Sequence, residues 1–189
     1  MHRVLSTVVL SCFATITIAA SEPPSVADAR QKAKMLGDAL KERLQNAIQQ
    51  GGFPAGVSEC HLAAMPVTER FNRAGWTVGR TALKLRNPAN TPDTWEKQQL
   101  NEFAKRLKSD SEHIPEASYY DAQKGEFRYM RAIVTRPVCT GCHGASVGQD
   151  VKAVIDTHYP NDEATGFAPG SLRGAFTLSW EAVPDSQKY

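Results

Sequence analysis

The sequence predicts an α+β fold in a single domain. Three observations carry that expectation. Apolar residues recur at helical spacing early in the chain, and later segments alternate like strands around a turn. The 189 residues, 41% apolar and 22% charged, suit one globular core. With Gly 13 and Pro 11, neither collagen-like nor low-complexity behaviour fits, and no internal run reaches the ~18 apolar residues of a membrane span.

Residues 1–20 read as a secretory leader. Met1-His2-Arg3 is a short basic start, Val4 to Ala20 is uncharged and largely apolar, and Ala19-Ala20-Ser21 offers the small residues that cleavage needs. The expected mature chain, residues 21–189, is a single exported domain located in a bacterial periplasm, with no stable membrane anchor after cleavage. Arg3 is one of 22 basic residues set against 20 acidic ones, so its loss leaves a net charge of about +1. That balance gives no electrostatic case for a nucleic-acid partner or a membrane surface.

After the leader, Ser25 to Gln50 is expected to be helical, because Leu36, Leu40, Leu44 and Ile48 recur every fourth residue. Ser25 with Asp28 resembles a capping pair, Lys41-Glu42-Arg43 forms a solvated face, and Gly51-Gly52 ends the segment. A shorter helix is expected from Val57 to Met65, with Pro66 forcing a kink or a restart. Trp76 to Leu85 reads as extended, and Arg86 to Asn90 as a turn. Thr91-Pro92-Asp93 has the form of a helix start with proline at the first helical position, followed by Trp95, Leu100, Phe103 and Leu107. Tyr119-Tyr120 and Phe127 to Val134 form two strands about the turn Gln123-Lys124-Gly125, and a last strand runs from Gly174 to Trp180.

Cys12 lies in the leader, which leaves Cys60, Cys139 and Cys142, so at least one thiol has no disulfide partner in the chain. Cys139-Thr140-Gly141-Cys142-His143 is C-x-x-C-H, the attachment site of a c-type haem. Two thiols add across the haem vinyl groups, and the adjacent histidine can ligate the iron. A thioredoxin-like pair would lie near the chain start after a first strand, and a zinc site would need a further Cys/His pair at ligand spacing. One covalent haem c is therefore the expected cofactor.

The sixth iron ligand is a separate question. Met35, Met65 and Met130 all precede the motif, which argues against an ordinary small cytochrome, and His158 sits in what reads as a turn, Thr157 to Pro160. Cys60 is the leftover thiol, with Ala63 and Ala64 beside it on the helix; His61 is its rival, and an inert buried Cys60 is the third alternative.

The run from Trp76 to Glu96, with Arg86-Asn87-Pro88-Ala89-Asn90 at its centre, resembles the signature of a bacterial single-haem family. So do Phe127-Arg128-Tyr129-Met130 before the haem motif and Tyr159-Pro160 with Asp162, Ala164, Thr165 and Gly166 after it. That family was long catalogued as a domain of unknown function. It occurs as stand-alone exported proteins and as the sensor part of membrane-bound signalling proteins. The resemblance implies a PAS-like fold, a haem on C-x-x-C-H and a cysteine in the N-terminal helical region as second axial ligand, the position of Cys60. His61 beside it departs from the pattern and keeps a bis-histidine alternative in view.

A thiolate ligand favours ferric iron and a low potential. Among the basic residues near the signature and the haem motif, Arg80 and Arg86 are the chosen partners for the haem propionates. The expected function is redox or small-ligand sensing, or low-potential electron transfer, with a redox or signalling protein as partner and no enzymatic activity. The alternative is an ordinary electron carrier with bis-histidine ligation.

Overall fold

A computed structural model describes residues 23–182. The leader reading falls on residues 1–20, outside that range. Four helices and four strands follow in the order α1 (Val26–Glu69), β1 (Trp76–Thr81), α2 (Thr94–Ser109), β2 (Glu116–Asp121), β3 (Glu126–Val134), α3 (Thr140–His143), α4 (Gln149–His158) and β4 (Leu172–Glu181). The fold is α+β, as the pattern predicts. The strands form one antiparallel sheet in the order β1-β4-β3-β2.

Helix α1 is a hairpin of two arms. Ser25 and Asp28 form a reciprocal capping box at its start, and the non-helical backbone is confined to Gly51 and Gly52, the latter at φ 69°. The first arm lies on the sheet through a smooth face. Ala29, Ala33 and Leu36 are buried against Trp76, Val78, Phe127, Tyr129, Leu178 and Trp180. A methyl group on Gly37 would come within 2.9 Å of the Phe176 ring, so a small residue is what allows this approach. Farther along, Leu44 and Ile48 turn to the second arm, where they crowd Gly56. The predicted leucine stripe thus serves two partners, the sheet first and then the returning arm.

The second arm is longer than its sequence signals. It runs on through Pro66 to Glu69 instead of restarting there. Proline at this position leaves the Leu62 carbonyl without its helical donor, and Leu62 is exposed enough for water to replace it. On the opposite face of the sheet, α2 buries Leu100, Phe103 and Leu107 against Met130, Ala132 and Ala175. Its cap is Asp93, in a reciprocal box with Glu96, and Pro92 lies outside the helix. The proline-led turn is instead the short 3-10 segment Pro88–Asn90, capped by the Asn87 side chain. Strand β1 is shorter than expected, ending at Thr81.

Helix α4, Gln149–His158, has no counterpart among the elements the sequence predicts. His158 is the last residue of that helix and does not belong to a turn. Val151, Val154 and Ile155 have helical spacing, but the helix starts at Gly148 with no side-chain cap to announce it.

Candidate functional site

The C-x-x-C-H segment sits where β3 leaves the sheet. Pro137–Cys139 forms a single 3-10 turn and α3 one helical turn, which projects Cys139 and Cys142 from adjoining turns. Gly141 carries the packing: a Cβ there would meet the Phe53 ring at 2.4 Å, so only glycine lets the motif seat against the second arm of α1. The Cys142 side chain is buried among Val57, Val151 and Ile155, and burial pushes its thiol up to about 11. Cys139 is half-buried, and its Sγ accepts the backbone N–H of Arg136 at 3.3 Å.

His143 is oriented by a carbonyl. Its ring Nδ1 lies 2.7 Å from Ala164 O. A carbonyl only accepts, so Nδ1 must carry the proton and Nε2 is left with its lone pair. Burial, reinforced by Arg173 and Arg86, lowers the ring to about 3. The imidazole is thus neutral, with one nitrogen fixed and the other available as a ligand. The segment after the motif is held in turn by Gly166 N–H to Gly144 O and Phe167 N–H to His143 O, both at 2.9 Å.

Arg86 ties this segment to the loop after β1. Its Nε and Nη2 both lie 3.0 Å from the Asp162 carboxylate, and Nη2 also donates to Cys142 O at 2.7 Å and to Ala164 O at 3.4 Å. The side chains of this pair are only 10% and 6% exposed, so the interaction is a buried, bidentate one. Arg80, on β1, lines an apolar cavity of about 180 Å³ with Gly37, Leu40, Cys60, Ile133 and Phe176.

Cys60 is half-buried on that same wall. Burial raises its thiol, while Arg80 and Arg86 pull in the opposite direction by favouring the thiolate. Its neighbour His61 points elsewhere. The His61 ring is exposed and stacks on His158 of α4, with centroids 4.4 Å apart and planes at 18°, while Tyr159 meets it edge-on at 5.4 Å. The second arm of α1 therefore turns its cysteine inward and its histidine outward.

Two further residues, Arg173 and Phe167, complete the region. Arg173 at the start of β4 lies over the Phe167 ring, 5.2 Å from its centroid, and Phe167 stands edge-on to His143 at 6.3 Å. Tyr159 packs beside Cys142, and burial, with the Cys60 thiol nearby, raises its hydroxyl. Tyr159 already belongs to the signature, in Tyr159-Pro160. Nothing in the sequence marks Arg173, whose place depends on how β4 returns beside β1. Together the groups offer two thiols for covalent attachment, one prepared imidazole nitrogen and a third thiol on a separate helix, set among arginines.

A family model described as Tll0287-like matches residues 23–180. The chain belongs to the Tll0287-like family. Among solved structures it is similar to the crystal structure of the cyanobacterial haem protein Tll0287, with 26% identity and a TM-score of 0.57. The match covers 87% of this chain and 100% of that one. No curated protein matches it. Tll0287-like membership spans both arms of α1, the whole sheet and the C-x-x-C-H segment, so Cys60 and His143 both fall within the matched region.

Proposed function

We propose that this Tll0287-like protein carries one covalent haem c and acts in the periplasm in redox or small-ligand sensing, or in low-potential electron transfer, without catalytic turnover of its own. The observation that carries the reading is His143. A neutral imidazole, fixed through Nδ1 on the Ala164 carbonyl, stands beside the two motif thiols with Nε2 free. The described likeness to a haem protein supports the same cofactor. An antiparallel sheet with helices packed on it is compatible with the PAS-like architecture that the signature implies.

The residues fit the group. Cys139 and Cys142 would hold the haem through thioethers, and the His143 Nε2 and the Cys60 thiol would be the donors to its iron. Cys60 is favoured over His61 because it lines the interior cavity while His61 is exposed and stacked on His158. When bound, the haem supplies a one-electron couple and a coordination position that can exchange. A thiolate from Cys60 donates charge and favours the oxidised state, which lowers the potential. Cys60 rides on the second arm of α1, so any change in its bonding is transmitted to a helix braced by Arg43–Glu59 and by the His61–His158 stack.

Expression with a c-type maturation system tests the reading. Mass spectrometry is expected to find one haem bound, and its absence on the intact motif would overturn the proposal. EPR of the oxidised protein should show a low-spin thiolate signature that Cys60→Ser abolishes; a signature surviving the substitution removes Cys60 as ligand. Carbon monoxide separates the two roles, since rapid binding to the reduced protein favours sensing and resistance favours electron transfer.

A further inference from the structure

Three guanidinium groups converge beside the C-x-x-C-H segment, and one carboxylate answers them. Arg86 takes that carboxylate, Asp162, with two nitrogens and uses its remaining reach on the Cys142 and Ala164 carbonyls. Arg173 has Asp162 within electrostatic range only, and its Nη1 donates to a single neutral acceptor, Lys84 O at 3.2 Å. Among the described residues Arg80 makes no salt bridge, although Glu59 lines the same cavity; the groups that favour its charge are Cys60 and Tyr159. Both guanidinia feel their surroundings: burial, with Arg86 and Arg80 close by, holds Arg173 down to about 10, and burial lowers Arg80 as well.

Partly buried charges without counter-charges are costly, and a protein retains them where a ligand supplies the opposite sign. Asp162 is committed to Arg86, and Lys84, whose Nζ lies 5.1 Å over the Phe167 ring, adds to the positive charge around Arg173. A haem brings two carboxylates. Arg173 lies one aromatic ring away from His143, through Phe167, and Arg80 lies on the wall that carries Cys60. The two uncommitted guanidinia thus flank the positions proposed for the iron from two sides. A guanidinium matches a carboxylate in shape, with two parallel N–H groups for two oxygens.

Resting on the haem reading above, we propose that Arg173 and Arg80 are the clamp for the two haem propionates, one each, and that Arg86 is a positioning strut for the motif and the Asp162 segment. This assignment adds Arg173 to the site and moves Arg86 out of direct contact with the haem. It also gives the clamp a route into the fold, because Arg80 is on β1 and Arg173 on the neighbouring β4.

The test uses the haem-loaded protein with Arg173→Gln, Arg173→Lys and Arg80→Gln, and with Arg136→Gln as an exposed control near the motif. Resonance Raman spectra report the propionate bending modes, and redox titrations at several pH values report propionate protonation. Arg173→Gln and Arg80→Gln are each expected to shift the bending modes, lower the potential and make it pH-dependent, because a propionate released from its arginine can take up a proton. Arg173→Lys should recover the potential in part but leave the modes shifted, since an ammonium group lacks the fork. Arg136→Gln should leave the modes in place. If Arg173→Gln does not fold, Arg173→Lys carries the same spectroscopic test. Unchanged modes in a variant that holds covalent haem would overturn the clamp while leaving the haem reading intact. A wild-type chain that acquires no haem would instead overturn the reading on which the clamp rests.

Discussion

At the β2 side of the sheet, Glu116 receives Arg30 from α1, Arg131 from β3 and the Tyr129 hydroxyl, while Arg128 meets Asp93 and Glu96 at the start of α2. With Glu126 4.0 Å from Arg128 Nε, three arginines there face four carboxylates. Beside the C-x-x-C-H segment, Asp162 pairs with Arg86 and acts at longer range on Arg173, while Arg80 has only Cys60 and Tyr159 favouring its charge. The first region joins three layers, the α1 hairpin, the sheet and α2, and its charges close on one another. The second joins the loop after β1, the motif and the return into β4, and its charges do not close. A closed network holds elements in register and asks nothing of a ligand. An open one of the same size indicates where an anion belongs, and here it surrounds the residues that can bind a haem.

The largest effect expected from this contrast follows from removing the one carboxylate of the open region. Asp162→Leu leaves Arg86 buried with no counter-charge. Breaking a buried pair in this way costs about 3–5 kcal/mol. Urea unfolding should show a loss of that size, and Arg86→Met combined with Asp162→Leu should recover much of it, because an apolar pair leaves no stranded charge. If Asp162→Leu costs no more than the equivalent change at Glu116, the two regions do not differ in the way their charge counts indicate.

Much of this organisation was legible in the chain. The capping pair Ser25/Asp28, the break at Gly51-Gly52 and the turn before β3 are local signals, and each acts within a few residues of itself. The haem motif is local too, since C-x-x-C-H carries its chemistry in five consecutive residues. What the sequence concealed depends on distant partners. Pro66 passes inside a helix because its neighbour Leu62 is open to water. Helix α4 has apolar spacing but no capping side chain, so its start is fixed by packing of Val151 and Ile155 under α1. Arg86 and Arg80 both lie within the signature and look equivalent there, yet one is bound to Asp162, 76 residues farther on, and the other is not. Arg173 has no sequence signal at all, because its neighbours come from residues 84 and 167.

The closed region should reveal itself through pH. Arg30, then Tyr129 and Arg131, hold the Glu116 carboxyl down to about 2 from an ordinary value of 4.5. A carboxylate lowered on folding contributes stability that is complete above pH 4.5 and disappears as the pH falls toward 2. Since Arg30 is about half exposed, solvent screening reduces the contribution to about 1–2 kcal/mol. Glu116→Gln should therefore lower the urea midpoint at pH 6, and the gap to the unsubstituted protein should narrow steadily below pH 4.5. A gap that stays constant to pH 2.5 would mean that Glu116 acts by packing and not by charge.

The smallest expected effect separates Cys60 from the residue beside it. His61 contributes an exposed aromatic stack between the second arm of α1 and α4, and such a pair adds about 0.5–1 kcal/mol. His61→Ala should lower stability by that amount, and His61→Phe should retain most of it by preserving the stack on His158. Neither change should alter the EPR spectrum of the haem-loaded protein, because the ring that is lost lies on the outer face of the helix whose inner face carries Cys60. A spectrum that changes equally in both variants would make His61 an iron ligand and reverse the inward–outward assignment of the two side chains. A spectrum that changes only in His61→Ala would mean that the stack, through the helix, sets how firmly Cys60 is held.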